Sequence, residues 1–286
     1  MRNGRQEWSN CPVCSQFIDG ADWLEIEPLT WKKCRTCDVV FKGSEPDGFL
    51  TDAHYEDDYF VGGSRAYDER REHRVNKALR QISAAREFSQ GERLLDIGCS
   101  LGYALEAGRR LGLEPIGLDL SQTARNACLE QGFEAVDGRM DELPFEDARF
   151  DLILMKHVLE HTPEPAAALR EIRRVCAAEA CLIIAVPNLH YIKGRFARFR
   201  HRYYDPKHAG REHYVYFSRS ALIRLLREQG FEVRASSKAV FRRREAKKGI
   251  GSAVKEALWF SLLSGWQTLA SICGLRRELF IIAQRR

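Results

Sequence analysis

The chain reads as an α/β protein: a doubly wound, mostly parallel sheet of seven strands, preceded by a small N-terminal module. Three observations predict this. From residue 93 onward short apolar runs alternate with segments of helical period, the pattern of βαβ units packed on both faces of a parallel sheet. Four cysteines fall within residues 11–37 as two C-x-x-C pairs, the spacing of a metal knuckle. The 286 residues are 44% hydrophobic and 30% charged, which excludes wholesale disorder, collagen-like repeats and a multi-span membrane protein.

The N-terminal module is assigned to residues 1–42. In Cys11-Pro-Val-Cys14 and Cys34-Arg-Thr-Cys37 the two-residue gap lets both thiolates of a pair face one ion. Two pairs then make the closed tetrahedral set of structural zinc. The alternatives are two disulfides, four unrelated thiols or a redox C-x-x-C, but neither pair opens a helix after a strand. The start, MRNGRQEWSNCPVC, holds no apolar stretch, so no secretory signal and a cytoplasmic, reducing setting are expected. Cys99, Cys128, Cys176, Cys181 and Cys273 have apolar neighbours and read as small buried residues. The module has little core of its own, so metal binding supplies much of its folding energy. Phe17, Trp23, Trp31 and Phe41 are available to pack around the knuckles or on the next domain.

Residues 43–64, rich in Gly, Asp and aromatics, read as a linker, and residues 65–286 as the main domain. In residues 65–89, Val75, Leu79, Ile82 and Ala85 recur at helical spacing. Strands are predicted at 93–98, 115–120, 134–138, 150–155, 181–187, 231–237 and 278–284. Helices are predicted at 103–111, 122–131, 163–176 and 219–229.

The net charge of +5 is unevenly spread. Residues 1–192 hold 23 Lys+Arg against 33 Asp+Glu, whereas residues 193–248 hold 17 against 5. An acidic body with a basic segment points to an anionic substrate, nucleic acid or a membrane surface on the basic side.

The sharpest motif in the main domain is Leu94-Leu95-Asp96-Ile97-Gly98-Cys99-Ser100-Leu101-Gly102-Tyr103. An apolar strand ends in a carboxylate, a turn of small residues and a helix. Ligands of open α/β sheets bind at such strand ends, and small residues let them approach the backbone. Asp119 closes the second strand, where a carboxylate can accept from both hydroxyls of a ribose. The dinucleotide fingerprint is broken, since Ser100 and Tyr103 stand where it needs glycine. No G-K-[ST] follows the turn, so a P-loop is excluded.

The motif resembles that of the class I S-adenosylmethionine-dependent methyltransferases, an acidic residue followed by G-x-G-x-G, with Ser100 at the central glycine. The resemblance covers most of residues 55–235. Pro144-Phe145 through Phe150-Asp151, His157-Val158-Leu159-Glu160-His161, Val186-Pro187-Asn188, His213-x-x-x-Phe217-Ser218 and Gly230-Phe231 look like further family segments. It implies a Rossmann-like seven-stranded fold and S-adenosylmethionine as cofactor. Asp96 and the turn Gly98, Cys99, Ser100 and Gly102 would line its methionine part. Asp119 would bind the ribose and Leu120 would pack on adenine. Arg139 and Met140 stand where relatives carry an Asp-Ala pair at the adenine edge; Met140 still offers its N–H, but Arg139 cannot accept from the amino group. Lys156 would lie near the sulfonium, so its ammonium is expected to turn toward an acidic substrate.

Transfer to a hydroxyl also needs a base. The candidates are His157, His161, His208 and His213, since imidazole titrates near neutral pH. His157 is the first choice; on a helix it would share a face with His161. The structural alternatives are that His161 braces the loop before Pro163, that His213 bonds backbone near Phe217, and that His208 is solvated. Some quinone O-methyltransferases of this type carry glutamate at position 157, near a divalent cation; histidine here predicts no catalytic metal. The nucleobase N-methylation loop N/D-P-P-Y/F is replaced by Lys156-His157-Val158-Leu159.

Residues 191–217 interleave Arg and Lys with Tyr and Phe, and a lid is expected over about 190–217. Residues 257–275 are uncharged between basic flanks. Within an apolar helix of about 251–275, they suit a face buried on the sheet, an interfacial helix at the inner membrane surface or, less well, a membrane span. Three functions follow. The first is O-methylation of a small-molecule, glycan or lipid-linked acceptor, anionic in keeping with the basic segment. The second is RNA methylation with ribbon and basic segment gripping RNA. The third is a non-catalytic zinc-ribbon scaffold.

Overall fold

The computed structural model describes residues 5–18, 23–47, 71–191, 204–205, 207, 211–236 and 277–286. Most of the expected linker, residues 192–203 of the lid, His208 and the apolar run 257–275 lie outside these residues. Among the described residues no helix is long and apolar enough to cross a membrane.

In the N-terminal module β1 (Arg5–Glu7), β2 (Leu24–Ile26), β3 (Leu29–Cys34) and β4 (Val39–Pro46) form an antiparallel sheet in the order β1-β4-β3-β2. The boundary expected at residue 42 falls inside β4, which is buried over nearly its whole length. Trp31 and Phe41 are buried here, whereas Phe17 stays 63% exposed.

The main domain follows the alternation in the sequence. α1 (Arg71–Ala85) buries the stripe Val75, Ala78, Ile82 and Ala85. β5 (Arg93–Ile97), α2 (Tyr103–Arg110), β6 (Glu114–Leu118), α3 (Gln122–Glu130), β7 (Glu134–Val136), β8 (Phe150–Lys156) and α4 (Pro165–Val175) come next. α3 starts at Ser121, whose side chain accepts from the Ala124 N–H. α4 starts with Pro165 at its first position. Five of the seven residues of β8, Phe150 and Leu152–Met155, are buried, because helices cover both faces of this central strand.

β9 (Cys176–Pro187) begins directly after α4, five residues before the expected start, because Cys176 pairs with Phe150 across a register shift. β10 (Val215–Phe217), α5 (Arg219–Glu228), β11 (Phe231–Ser236) and β12 (Glu278–Arg285) complete the described chain. The seven-stranded sheet runs β11-β12-β9-β8-β5-β6-β7, parallel except for β12, which is antiparallel to both neighbours. Strand order therefore reverses between β5 and β8, where such sheets open a crevice at their carboxyl ends.

β10 does not join this sheet. It pairs with β4, Val215 opposite Phe41 and Phe217 opposite Val39, so residues 215–217 of the expected lid are a strand of the N-terminal sheet. All three are buried and show no strand period for the sequence to reveal. The two parts also share one apolar core, in which Val13, Val39 and Phe41 join Phe217, Leu222 and Leu226.

Candidate active site and metal centre

β5 ends at Ile97 and the chain turns at once. Gly98 takes φ +73°, and a Cβ there would lie 2.5 Å from Val158 Cγ2, so the turn calls for glycine. The Gly98 and Cys99 N–H groups donate to the Leu118 carbonyl. Ser100 holds a left-handed backbone at φ +49°, and its N–H donates to Asp119 Oδ2 at 2.9 Å. The Ser121 N–H donates to Asp119 Oδ1 at 3.0 Å. One carboxylate thus ties the first turn to the second. Arg125 braces the carbonyls of Asp119 and Leu120 at 2.8 and 2.7 Å.

A cavity of about 570 Å³ opens at these strand ends. Asp96, Gly98, Cys99, Ser100, Asp119, Leu120, Arg139, Met140 and Lys156 line it, together with His157 and His161. Gly102 stands back from the lining and precedes α2 at φ +75°. Burial pushes the Asp96 carboxyl up, with Lys156 pulling it down and Asp119 adding to the rise. Burial lowers the Lys156 ammonium, as do Lys77 and Arg74, against the pull of Glu278 and Asp96.

The histidines divide. His157 and His161 share no helix face, because His157 sits at φ +56° and His161 ends a 3₁₀ turn, Leu159–His161. His157 Nδ1 lies 3.3 Å from Glu160 Oε1, and its Nε2 lies 3.2 Å from Glu278 Oε2. Burial lowers its pKa, but the two carboxylates outweigh this and hold it at about 9. His157 is therefore a bridging cation at neutral pH. His213 stacks edge-on behind His161, ring centroids 4.9 Å apart, outside the cavity lining. Burial takes its pKa down to about 3, so it is neutral. Burial raises the Glu160 carboxyl, yet the hydrogen bond with His157 leads the effects that bring it below the ordinary value. The ligand atoms of Glu160, His161 and His213 lie within 4.8 Å of one another, a donor set with the chemistry to share a divalent cation.

In the N-terminal module the ligand atoms of Cys11, Cys14, Cys34 and Cys37 also gather within 4.8 Å. The two halves repeat one turn. Ser15 and Asp38, each one residue past a pair, take φ +57° and +55°. Their N–H groups return to the Cys11 and Cys34 carbonyls at 2.8 and 2.9 Å. Arg224 of α5 reaches Cys37 Sγ at 3.5 Å. The eight cysteines of the described residues form no disulfide in this structure.

Residues 67–236 match the family model described as a methyltransferase domain. The chain belongs to the methyltransferase domain family. The ubiquinone biosynthesis O-methyltransferase of Methylococcus capsulatus is 29% identical over 123 residues, 41% of this chain and 52% of the relative. That of Xanthomonas axonopodis pv. citri is 30% identical over 157 residues, 46% of this chain and 64% of the relative. The chain thus spans about half the length of the first curated relative. A crystal structure from Thermotoga maritima, described as a SAM-dependent methyltransferase and possible histamine N-methyltransferase, shares the fold. Its TM-score is 0.53 at 19% identity, covering 79% of this chain and 97% of that one.

Several residues of the methyltransferase domain's cavity escape the sequence reading. Arg74, Lys77 and Ala78 of α1 line it, as do Tyr103, Asp141, Glu212 and Tyr214. For α1 a signal exists: positions 74, 77 and 78 share a helix face. Glu212 and Tyr214 fall within the expected lid of about 190–217, and the pairing of β10 with β4 accompanies their place at the cavity.

Proposed function

We propose that the chain is an S-adenosylmethionine-dependent methyltransferase that O-methylates a small-molecule, glycan or lipid-linked acceptor carrying an anionic group. The observation that carries this reading is the cavity itself, with the Asp119-tied glycine turn on one side and His161 on the other. The names of the curated relatives support O-methylation.

The residues present fit the cofactor. Gly98 and Ser100 of the first turn line the cavity, and Asp119, held there by the Ser100 and Ser121 N–H groups, presents a carboxylate of the kind a ribose hydroxyl would donate to. Asp141, paired with Arg139 Nε at 3.2 Å, also lines the cavity and would offer adenine the carboxylate that Arg139 does not. When bound, S-adenosylmethionine supplies an electrophilic methyl group open to in-line displacement. The protein's work is then alignment and exclusion of water. His161 faces the cavity and is the base for the acceptor proton, with buried Glu160 and neutral His213 behind it. His157, already a cation, fixes the loop and the end of β12 rather than taking a proton. Arg74, Lys77 and Lys156 face the cavity as a basic side suited to an acidic acceptor.

The four cysteines hold one structural zinc, a reading supported by their clustering and by the paired knuckle turns. A cytoplasmic setting, with peripheral membrane contact through about 251–275 for a lipid-linked acceptor, completes the proposal.

Calorimetry with S-adenosylhomocysteine tests the cofactor, and labelled-methyl transfer to fractionated metabolites, glycans, lipids and RNA tests the acceptor. Absence of binding by the zinc-loaded chain leaves the scaffold reading. Label in RNA, with binding that survives moderate salt, establishes the RNA reading in its place.

A further inference from the structure

Lys42 belongs to the N-terminal module, yet its fully buried side chain is bonded toward the cavity wall. Its Nζ donates to Glu45 Oε2 at 2.7 Å and to the Arg211 carbonyl at 3.0 Å. The ammonium also lies 4.1 Å from the centroid of the Tyr214 ring. Tyr214 Oη donates to Glu45 Oε1 at 2.9 Å, and the Lys42 N–H donates to the Tyr214 carbonyl at 2.8 Å. These contacts join β4 to residues 211–214, of which Glu212 and Tyr214 line the cavity.

A second column runs alongside. Trp31 of β3 packs on Tyr216 at 5.5 Å, Tyr216 on His213 at 5.2 Å, and His213 on His161 at 4.9 Å. His161 faces the cavity. A buried ammonium is costly where an apolar side chain of similar size could fill the space. What the ion pair adds is geometry: it fixes a carbonyl, a carboxylate and an aromatic ring relative to one another.

We propose that Lys42 and Glu45 are positioning residues for acceptor binding. They hold the Glu212–Tyr214 wall in the shape that receives the acceptor, while Trp31 backs the His161 face through Tyr216 and His213. The N-terminal module is then a template for the acceptor site, beyond its role as a metal carrier. This rests on reading the cavity as a methyltransferase site.

The test uses the full zinc-loaded chain, with S-adenosylhomocysteine as cofactor probe and 3,4-dihydroxybenzoate, an anionic catechol, as acceptor probe. Lys42→Met is compared with wild type, and Glu45→Gln is the milder change should the first not fold. The expected result has three parts. The S-adenosylhomocysteine affinity stays within twofold. Amide hydrogen exchange across residues 212–216 becomes at least tenfold faster, with β6 and α3 unchanged. The KM for the catechol rises at least fivefold at constant kcat. Unchanged exchange across 212–216 overturns the proposal, whether or not the probe is turned over. A matching loss of S-adenosylhomocysteine affinity also overturns it, by reducing the pair to a general folding role. Wild-type chain that binds no S-adenosylhomocysteine removes the methyltransferase reading instead, and the exchange result still judges the pair.

Discussion

Ser100 and Asp119, nineteen residues apart, meet through a 2.9 Å hydrogen bond from the Ser100 N–H to Oδ2. The bond holds Ser100 in a left-handed backbone that a serine adopts at a cost. It also leaves the carboxylate on the cavity wall. Asp119→Ala removes both the proposed ribose acceptor and the tie to the turn. Its affinity for S-adenosylhomocysteine is expected to fall at least tenfold, about 1.4 kcal/mol, by calorimetry. Wild-type affinity in this variant would falsify the cofactor assignment.

Gly98→Ala tests the turn itself. A Cβ at this position meets Val158 at 2.5 Å and must adopt φ +73°. Destabilisation of about 1–3 kcal/mol is expected, measured by denaturant unfolding, with weaker S-adenosylhomocysteine binding. A neutral result would mean that Val158 moves freely, and the close approach would lose its meaning.

The two cavity histidines separate by role. His161→Gln is expected to lower kcat by roughly 10²-fold or more with S-adenosylhomocysteine affinity retained. His157→Gln, which loses its bonds to Glu160 and Glu278, is expected to lower the melting temperature and to spare most of kcat. The reverse pattern would return the base role to His157.

Zinc content is checked by atomic absorption, with one ion per chain expected. Chelation under mild denaturation should lower the melting temperature by roughly 5 °C or more. Because the knuckles share a core with Phe217 and Leu222, near-ultraviolet signals of both parts should change together. Independent melting of the module would contradict that shared core.

Asp151 gives a pH prediction. Arg93 bonds it through Nε at 2.8 Å and Nη2 at 2.7 Å, and this pairing holds the carboxyl below its ordinary value of 3.8, against the effect of burial. A depressed carboxyl stabilises the fold above its unfolded pKa, and that contribution is lost as pH falls through the folded value. Asp151→Asn should therefore be less stable than wild type at pH 7, and the gap should narrow below about pH 3.8. A gap constant from pH 7 to pH 2 would show that the bond's charge is irrelevant.

Much of this protein was legible from residue order alone, because the governing interactions are local. Apolar runs bounded by turns marked the strands of the large sheet. Asp96 through Gly102 marked the turn at the cavity, since close packing against Gly98 demands a small residue there. Paired C-x-x-C spacing marked the four-cysteine cluster, since two short turns of one kind carry the thiols. Tertiary structure alone decided what depends on long-range pairing. It seated β10 on β4, brought Glu212 and Tyr214 to the cavity, and placed Glu278 against His157. That last contact spans 121 residues and joins Glu160 in raising His157 to about 9, the reason His161 is the proposed base in its place. A histidine's proton affinity is set by the charges around it, and those charges come from parts of the chain that only folding brings together.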